Sequence, residues 1–198
     1  AVVTVQLAAV NDPPEAVDDW LTTPVGQALS IQPLLDHGQG PDRDVEGQLN
    51  ASSVSIQSPP TQGTAVVQPD GTIQYQPTPG FSGTDSFAYR VQDTLGAFSN
   101  TAQITIVVNN LPVAQDDVLT TNEDQSVELF LTASNGGPAD SDSDGQLALT
   151  SIVITQPPAH GQLVALGGDQ LRYLPFADYF GADEFQYQIA DNAAGVSN

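Results

Sequence analysis

The residues in this sequence best suited to chemistry are carboxylates, and their spacing says more than their number. Asp140-Ser141-Asp142-Ser143-Asp144-Gly145 sets an acid at every second position and closes on glycine. Its counterpart earlier in the chain is Asp42-Arg43-Asp44-Val45-Glu46-Gly47. Alternate side chains of a tight loop can converge on one hard cation, while the glycine allows the sharp turn. Calcium accepts about six to eight oxygens in flexible geometry, whereas magnesium requires a stricter octahedron and keeps its waters. The twelfth position counted from Asp140 is Ser151 rather than Glu, and no helices flank the loop, so this is not an EF-hand. Further oxygens would come from backbone, water or a distant carboxylate. The competing reading is a solvated acidic loop, and Arg43 weakens the first copy as a ligand set.

Other oxygen donors gather near two junctions in the chain. Asp18-Asp19 and Asp116-Asp117 lie just after them, and Asn11-Asp12 and Asn109-Asn110 just before. Donors on both sides of a linker suggest an ion that clamps the hinge, to which Asp93 and Asp191 could contribute from strand ends. Asp and Asn are also ordinary turn residues, and spacing alone leaves both readings open. The candidate calcium ligands are therefore Asp12, Asp18, Asp19, Asp42, Asp44, Glu46, Asp93, Asp116, Asp117, Asp140, Asp142, Asp144 and Asp191.

The elements that must position these residues are written twice. Asp18-Asp19 recurs as Asp116-Asp117, and the same offset carries Asp42 to Asp140, Pro59-Pro60 to Pro157-Pro158 and Tyr75 to Tyr173. It also carries Asp85 to Asp183, Phe87 to Phe185, Tyr89 to Tyr187, Asp93 to Asp191 and Ser99-Asn100 to Ser197-Asn198. Two homologous modules stand in tandem. Phe87, Tyr89 and Val91 alternate, as do Phe185, Tyr187 and Ile189, and Ala102, Ile104, Ile106 and Val108. This is the period of two expected of half-buried strands. Pro69-Asp70-Gly71 marks a turn between strands over 64–68 and 72–76. No stretch has a helical period over ten residues. The pattern predicts an all-β chain of two tandem Ig-like β-sandwich modules, about seven strands each.

Composition narrows the function classes. The 198 residues carry 24 Asp and Glu against three Arg and no Lys, a net charge of −21. Nucleic acid is excluded as a natural partner, since phosphate binding needs clustered basic residues. So many carboxylates repel one another unless cations screen or bind them. The absence of Cys excludes disulfides, thiolate metal sites and Cys nucleophiles. No window is long and apolar enough to span a membrane, and residues 1–10 carry no basic leader, so any export signal is expected outside this sequence.

The two ends of the sequence fit each other. Residues 1–12 read as the final strand of a preceding or neighbouring module, 13–110 as the first module, and 111–198 as a second module lacking its last strand. Either the chain is one period of a longer array, or its first strand completes a neighbour's open sandwich, head to tail. An arbitrary boundary is a third possibility.

The combined motifs, Asn-Asp-Pro-Pro, Asp-Asp, Asp-x-Asp-x-(Asp/Glu)-Gly, Pro-Pro-x-x-Gly, Tyr-x-Pro and Phe-x-Gly-x-Asp-x-Phe-x-Tyr-x-Val-x-Asp, resemble a known family. They are similar to the bacterial Ig-like or cadherin-like tandem repeats of giant RTX-type adhesins and other large surface proteins. Tyr179 and Ala182 depart from that pattern in the second module. The resemblance implies exported, calcium-stiffened spacer modules, at the cell surface or outside it, that hold a distal binding domain away from the cell, while the fit of the two ends makes the expected partners copies of the chain or neighbouring repeats, head to tail. The alternative is a module that grips carbohydrate or protein through sandwich loops, although Trp20, the lone Trp, reads as a strand residue. An enzyme is not expected. His37 and His160 occupy non-equivalent places in the repeat, and the carboxylate pairs recur at turns, as scaffolding would.

Overall fold

The computed structural model describes residues 1–6 and 10–198, which form two compact units, Ala1–Val108 and Asn109–Asn198. Unit 1 contains β1 (Asp19–Pro24), β2 (Leu29–Ile31), β3 (Leu49–Ser58), β4 (Gly63–Val67), β5 (Ile73–Pro77), β6 (Gly83–Asp93) and β7 (Ala102–Asn109). They build two sheets, one ordered β1-β7-β6-β3 and the other β2-β5-β4. The alternation in β6 is nearly perfect: Asp85, Phe87, Tyr89, Val91 and Asp93 are buried, and the residues between them are half-buried. Its partner β7 pairs antiparallel from Gly83↔Val108 to Tyr89↔Ala102. The buried faces of both sheets supply one core of Ile31, Val54, Ile73, Tyr75, Phe87, Tyr89, Val91, Ile104, Ile106 and Val108. This is the sandwich arrangement, in which inward side chains of two sheets interdigitate.

Unit 2 contains β8 (Val127–Phe130), β9 (Val153–Gln156), β10 (Gly161–Gly167), β11 (Gln170–Pro175) and β12 (Gln186–Gln188), with a single 3₁₀ turn at Leu149–Ser151. One sheet runs β10-β11-β8, as β4-β5-β2 does in unit 1. The other holds only β12 and β9. Among the described residues no strand corresponding to β7 lies beside β12, and the core shrinks to Leu129, Leu131 and Leu171, with Ile152, Ile154, Leu163, Phe185 and Tyr187 packed partly against it. Where β7 would lie there is an open groove of about 1020 Å³, lined among others by Asp117, Leu129, Leu131, Tyr173, Phe185 and Tyr187.

Both units close one end with the same latch. The Asp85 carboxylate accepts hydrogen bonds from the N–H of Thr61 (3.0 Å), Gln62 (3.0 Å) and Ser86 (2.9 Å), and from the Tyr75 hydroxyl (2.9 Å). Asp183 accepts from Ala159 N–H (2.9 Å), His160 N–H (2.9 Å), Glu184 N–H (3.1 Å) and the Tyr173 hydroxyl (2.8 Å). The recurring Pro-Pro-x-x-Gly turn is thus pinned to the start of β6, or to its equivalent. Its glycine is sterically required: a Cβ on Gly63 or Gly161 would come within 2.7 or 2.3 Å of the Tyr75 or Tyr173 ring.

Residues 1–6 and 10–12 form no strand, and Val2, Val3, Val5 and Val10 are exposed. The final strand expected over 1–12 falls in part on residues 7–9, which lie outside the described residues. Among the described residues no helix is long and apolar enough to cross a membrane.

Candidate metal centre

The structure sorts the predicted ligands into two groups in each unit, and the division runs through the Asp-x-Asp-x-(Asp/Glu)-Gly motif itself. Its first carboxylate turns inward. Asp42 accepts from Val17 N–H (2.7 Å) and from the Tyr89 hydroxyl (2.9 Å to Oδ2), and Asp140 does the same with Gln115 N–H (2.7 Å) and the Tyr187 hydroxyl (2.8 Å). These two acids anchor the core tyrosines at the start of each module.

The later carboxylates turn toward the junction residues of their own unit and form a crown. In unit 1, Asn11 Nδ2 donates to Asp93 Oδ2 (2.7 Å), and Asp12 N–H donates to Glu46 Oε2 (3.4 Å). In unit 2, Asn109 Nδ2 donates to Asp191 Oδ2 (2.7 Å), and Asn110 N–H donates to Asp144 Oδ2 (3.0 Å). The residues just before each junction therefore meet the crown of the module that follows them. Asp93 and Asp191 hold the next turn through their other oxygen, accepting from Leu95 and Ala97 N–H and from Ala193 and Gly195 N–H.

One oxygen in each crown has nothing to bind. Asp44 Oδ1 and Asp142 Oδ2 are buried, and neither has a hydrogen-bond partner among the described residues. They sit at equivalent positions of the repeat. A buried, unpaired carboxylate oxygen is costly, and finding it in both modules points to a missing partner rather than a local accident. Burial, together with the Asp144 and Asp191 charges, pushes the Asp142 carboxyl above its ordinary value. At Asp93, burial acts upward, but hydrogen bonds from Asn11 and from the N–H groups of Ala97, Leu95 and Gly96 prevail and hold it low.

Glycine keeps the unit 2 crown open. A Cβ on Gly145 would stand 2.4 Å from both Asn192 Oδ1 and Asp142 Oδ2, and one on Gly195 would stand 2.6 Å from Asp191 Oδ2. The crown offers only oxygen donors of the hard kind calcium prefers. Among the described residues no three His, Asp or Glu side chains are grouped closely enough to hold an ion by themselves. A calcium ion here would therefore combine Asp142, Asp144 and Asp191, or Asp44, Glu46 and Asp93, with amide oxygens, carbonyls and water, all of which it accepts.

The second group lies around the Asp-Asp pairs. In unit 2, Asp117 is partnered: Asn135 N–H donates to Oδ1 and Asn135 Nδ2 to Oδ2, both at 3.2 Å. The preceding residue, Asp116, is exposed. In unit 1, Asp18 accepts Gln103 N–H (2.7 Å), which ties the chain to β7, and Asp19 is buried. Residue spacing gave no signal for Asn192, or for Asp36, whose place in the repeat is taken by Ser134. Asn11 and Asn109 were legible only as junction residues.

The remaining chemistry-bearing residues do not assemble. The His160 ring stacks on Tyr179 at 4.2 Å, His37 Nε2 lies 3.1 Å from the Gln32 carbonyl, and Trp20 is exposed on β1.

An Ig-like sandwich with an acidic crown is the class this fold and site define. Models of protein families agree: residues 11–110 match the bacterial cadherin-like domain and residues 109–198 the bacterial Ig domain. The chain belongs to the bacterial cadherin-like domains, with a bacterial Ig domain in tandem. Domains of these kinds are structural or adhesin-type modules, typical of surface or extracellular proteins. Among curated proteins the chain is similar to integrin beta-like proteins C and E of Dictyostelium discoideum, at 30% identity over 132 residues and 29% over 133. Those matches cover 57% and 58% of this chain but only 6% of either relative's length. Among solved structures, an endo-fucoidan hydrolase of glycoside hydrolase family 107 aligns with 95% of this chain and 33% of its own, at 18% identity and a TM-score of 0.43. The I67–I69 fragment of titin aligns with 94% of this chain and 63% of its own, at 11% identity and a TM-score of 0.42.

Proposed function

We propose that this chain is a calcium-stiffened spacer of a secreted or surface-anchored bacterial adhesin or filament, and that it carries no catalytic activity. The observation that carries the reading is the repeat-equivalent pair of buried, unpartnered oxygens, Asp44 Oδ1 and Asp142 Oδ2. Each faces a crown of acids that also fixes the first residues of its module, through Asn11 or Asn109. An ion there would tie the entry of the module to the loop between Asp42 and Gly47, or Asp140 and Gly145, and to the turn after Asp93 or Asp191. That is how a sandwich without disulfides becomes stiff at its end. The net charge of −21 supports the same reading, since bound cations relieve the self-repulsion.

The partner is a strand of the β7 kind. The groove beside β12 offers the exposed edge and the apolar floor that strand addition requires. The sequence of residues 1–10 supplies such a strand from a neighbouring repeat or a second copy. Calorimetric titration with calcium tests the metal reading: heat is expected from the intact chain, and much less from an Asp44→Asn, Asp142→Asn double variant. Equal heats from both would sink it.

A further inference from the structure

We infer that unit 1 holds a second cation site, separate from the crown, in which the buried Asp19 carboxylate takes a hard divalent cation of the calcium class, with Asp42 and Asp36 as charged neighbours and with carbonyls and water completing its shell. It borrows its choice of ion from the proposed function but rests on different residues. Asp19 opens β1 and is 1% exposed, and neither Oδ1 nor Oδ2 has any hydrogen-bond partner among the described residues. A wholly buried carboxylate with both oxygens unsatisfied is a severe defect in a folded protein unless something absent from the protein chain binds it.

The surroundings make the defect worse rather than better. Asp42 is itself buried, and Asp18 and Asp36 add like charge. Burial first, and then the charges of Asp42, Asp18 and Asp36, push the Asp19 carboxyl up to about 8. No arginine compensates. Arg43 pairs with Glu15 at 2.6 Å, Arg172 pairs with Glu128 at 2.6 Å, and Arg90 lies over the Phe98 ring at 3.7 Å. These are the only three basic residues other than histidine in the sequence.

The loop that faces β1 is also built to hold its acid in place. Trp20 N–H donates to the His37 carbonyl (3.2 Å), fastening the loop to the strand. Within it, Asp36 Oδ1 accepts from Gly38 N–H (2.8 Å) and Gly40 N–H (2.9 Å). Asp42 is fixed by Tyr89, whose hydroxyl also donates toward the Pro33 carbonyl (3.0 Å).

Unit 2 is the internal control. The counterpart of Asp19 is Asp117, and there Asn135 satisfies both oxygens with its backbone N–H and its side-chain amide. Asn135 occupies the place of His37, and Ser134 that of Asp36. One module answers the buried acid with an amide donor. The other removes that donor and adds a further carboxylate, an arrangement that a cation in the donor's place satisfies. The two modules therefore differ in ion content although they share a crown.

Trp20, the single tryptophan, is the neighbour of Asp19 and reports the site. Terbium, a luminescent stand-in for calcium, is titrated into the whole chain while the tryptophan is selectively excited, and calcium is then added as competitor. Saturable sensitised emission that calcium displaces is expected. Asp19→Asn should weaken the affinity at least tenfold, whereas the Asp44→Asn, Asp142→Asn double variant and Asp117→Asn should leave it intact. Circular dichroism checks that each variant folds. If Asp19→Asn does not fold, Asp36→Ser on the exposed loop serves instead, with a several-fold weakening expected. Absence of saturable emission overturns the inference, as does unchanged affinity in the variant used. Emission lost only in the Asp44→Asn, Asp142→Asn chain assigns it to the crown and overturns it too. Crown binding is read as the heat that the Asp44→Asn, Asp142→Asn chain loses while its Asp19 site stays in place, so the two sites fail or stand separately.

Discussion

Replacing Asp85 by asparagine tests whether the latch holds unit 1 together. The carboxylate is buried and accepts from three backbone N–H groups and the Tyr75 hydroxyl, two of these on each oxygen, and the Thr61 hydroxyl donates to Oδ1 at the longer distance of 3.4 Å. An asparagine keeps one acceptor oxygen and turns an NH₂ group toward the other two donors, whichever way it is flipped. Hydrogen bonds to a charged group are worth about 1.5–3 kcal/mol each. Two are lost, and relaxation recovers part of the loss, so unit 1 should be destabilised by about 3–5 kcal/mol. Urea unfolding followed by Trp20 fluorescence reports unit 1 directly, because unit 2 has no tryptophan. The expected result is a lower midpoint with an unchanged slope. A loss below about 1 kcal/mol would refute the argument that these bonds, rather than apolar packing alone, secure the Pro-Pro turn.

Three further outcomes follow from the same geometry. At Asp183, burial acts upward but the bonds from Tyr173, His160, Ala159 and Glu184 prevail, and the folded carboxyl lies below 3.8. Its contribution is therefore complete above that value and is lost as pH falls through the lower folded value. An acid titration followed by circular dichroism should show unit 2 losing stability below about pH 4, less steeply in Asp183→Asn. Gly145→Ala puts a methyl group 2.4 Å from Asn192 Oδ1 and Asp142 Oδ2, and calorimetry should find calcium affinity in unit 2 reduced about tenfold or more. If a β7-type strand fills the groove of unit 2, sedimentation should show concentration-dependent head-to-tail association that Val3→Asp with Val5→Asp abolishes. Unchanged association in that variant would remove residues 1–10 as the donor.

The sequence was most legible where geometry follows from period. The offset between Tyr75 and Tyr173, or Asp85 and Asp183, placed two copies of one module, and the alternation of Phe87, Tyr89 and Val91 identified the buried face of β6. Ligand grouping was far less legible, because a run of alternating acids does not state which way each one turns. Asp42 and Asp140 belong to the core tyrosines, a pairing made across 47 positions of sequence that no local spacing encodes. Asn11 and Asn109, legible only as residues beside a hinge, hydrogen-bond Asp93 and Asp191 of their own units, 82 positions away. The asymmetry at Asp19 was hidden for another reason. It depends on what replaces His37 and Asp36 in the other module, a difference that a search for repeats discards.

The most direct test of the account is the thermal unfolding of the whole chain in millimolar calcium, in magnesium and in chelator. Extracellular calcium modules bind at about 0.1–1 mM. Calcium at about 10 mM, a tenfold to hundredfold excess, adds about 1.4–2.7 kcal/mol for each site, which for a module of about 100 residues is a rise of roughly 6–20 °C. A rise of that size is expected with calcium, little with magnesium, and in the Asp44→Asn, Asp142→Asn chain a smaller rise that only the Asp19 site of unit 1 supplies. Identical melting in all three conditions, or an equal rise with magnesium, would contradict it and reduce the acidic crowns to solvated turns.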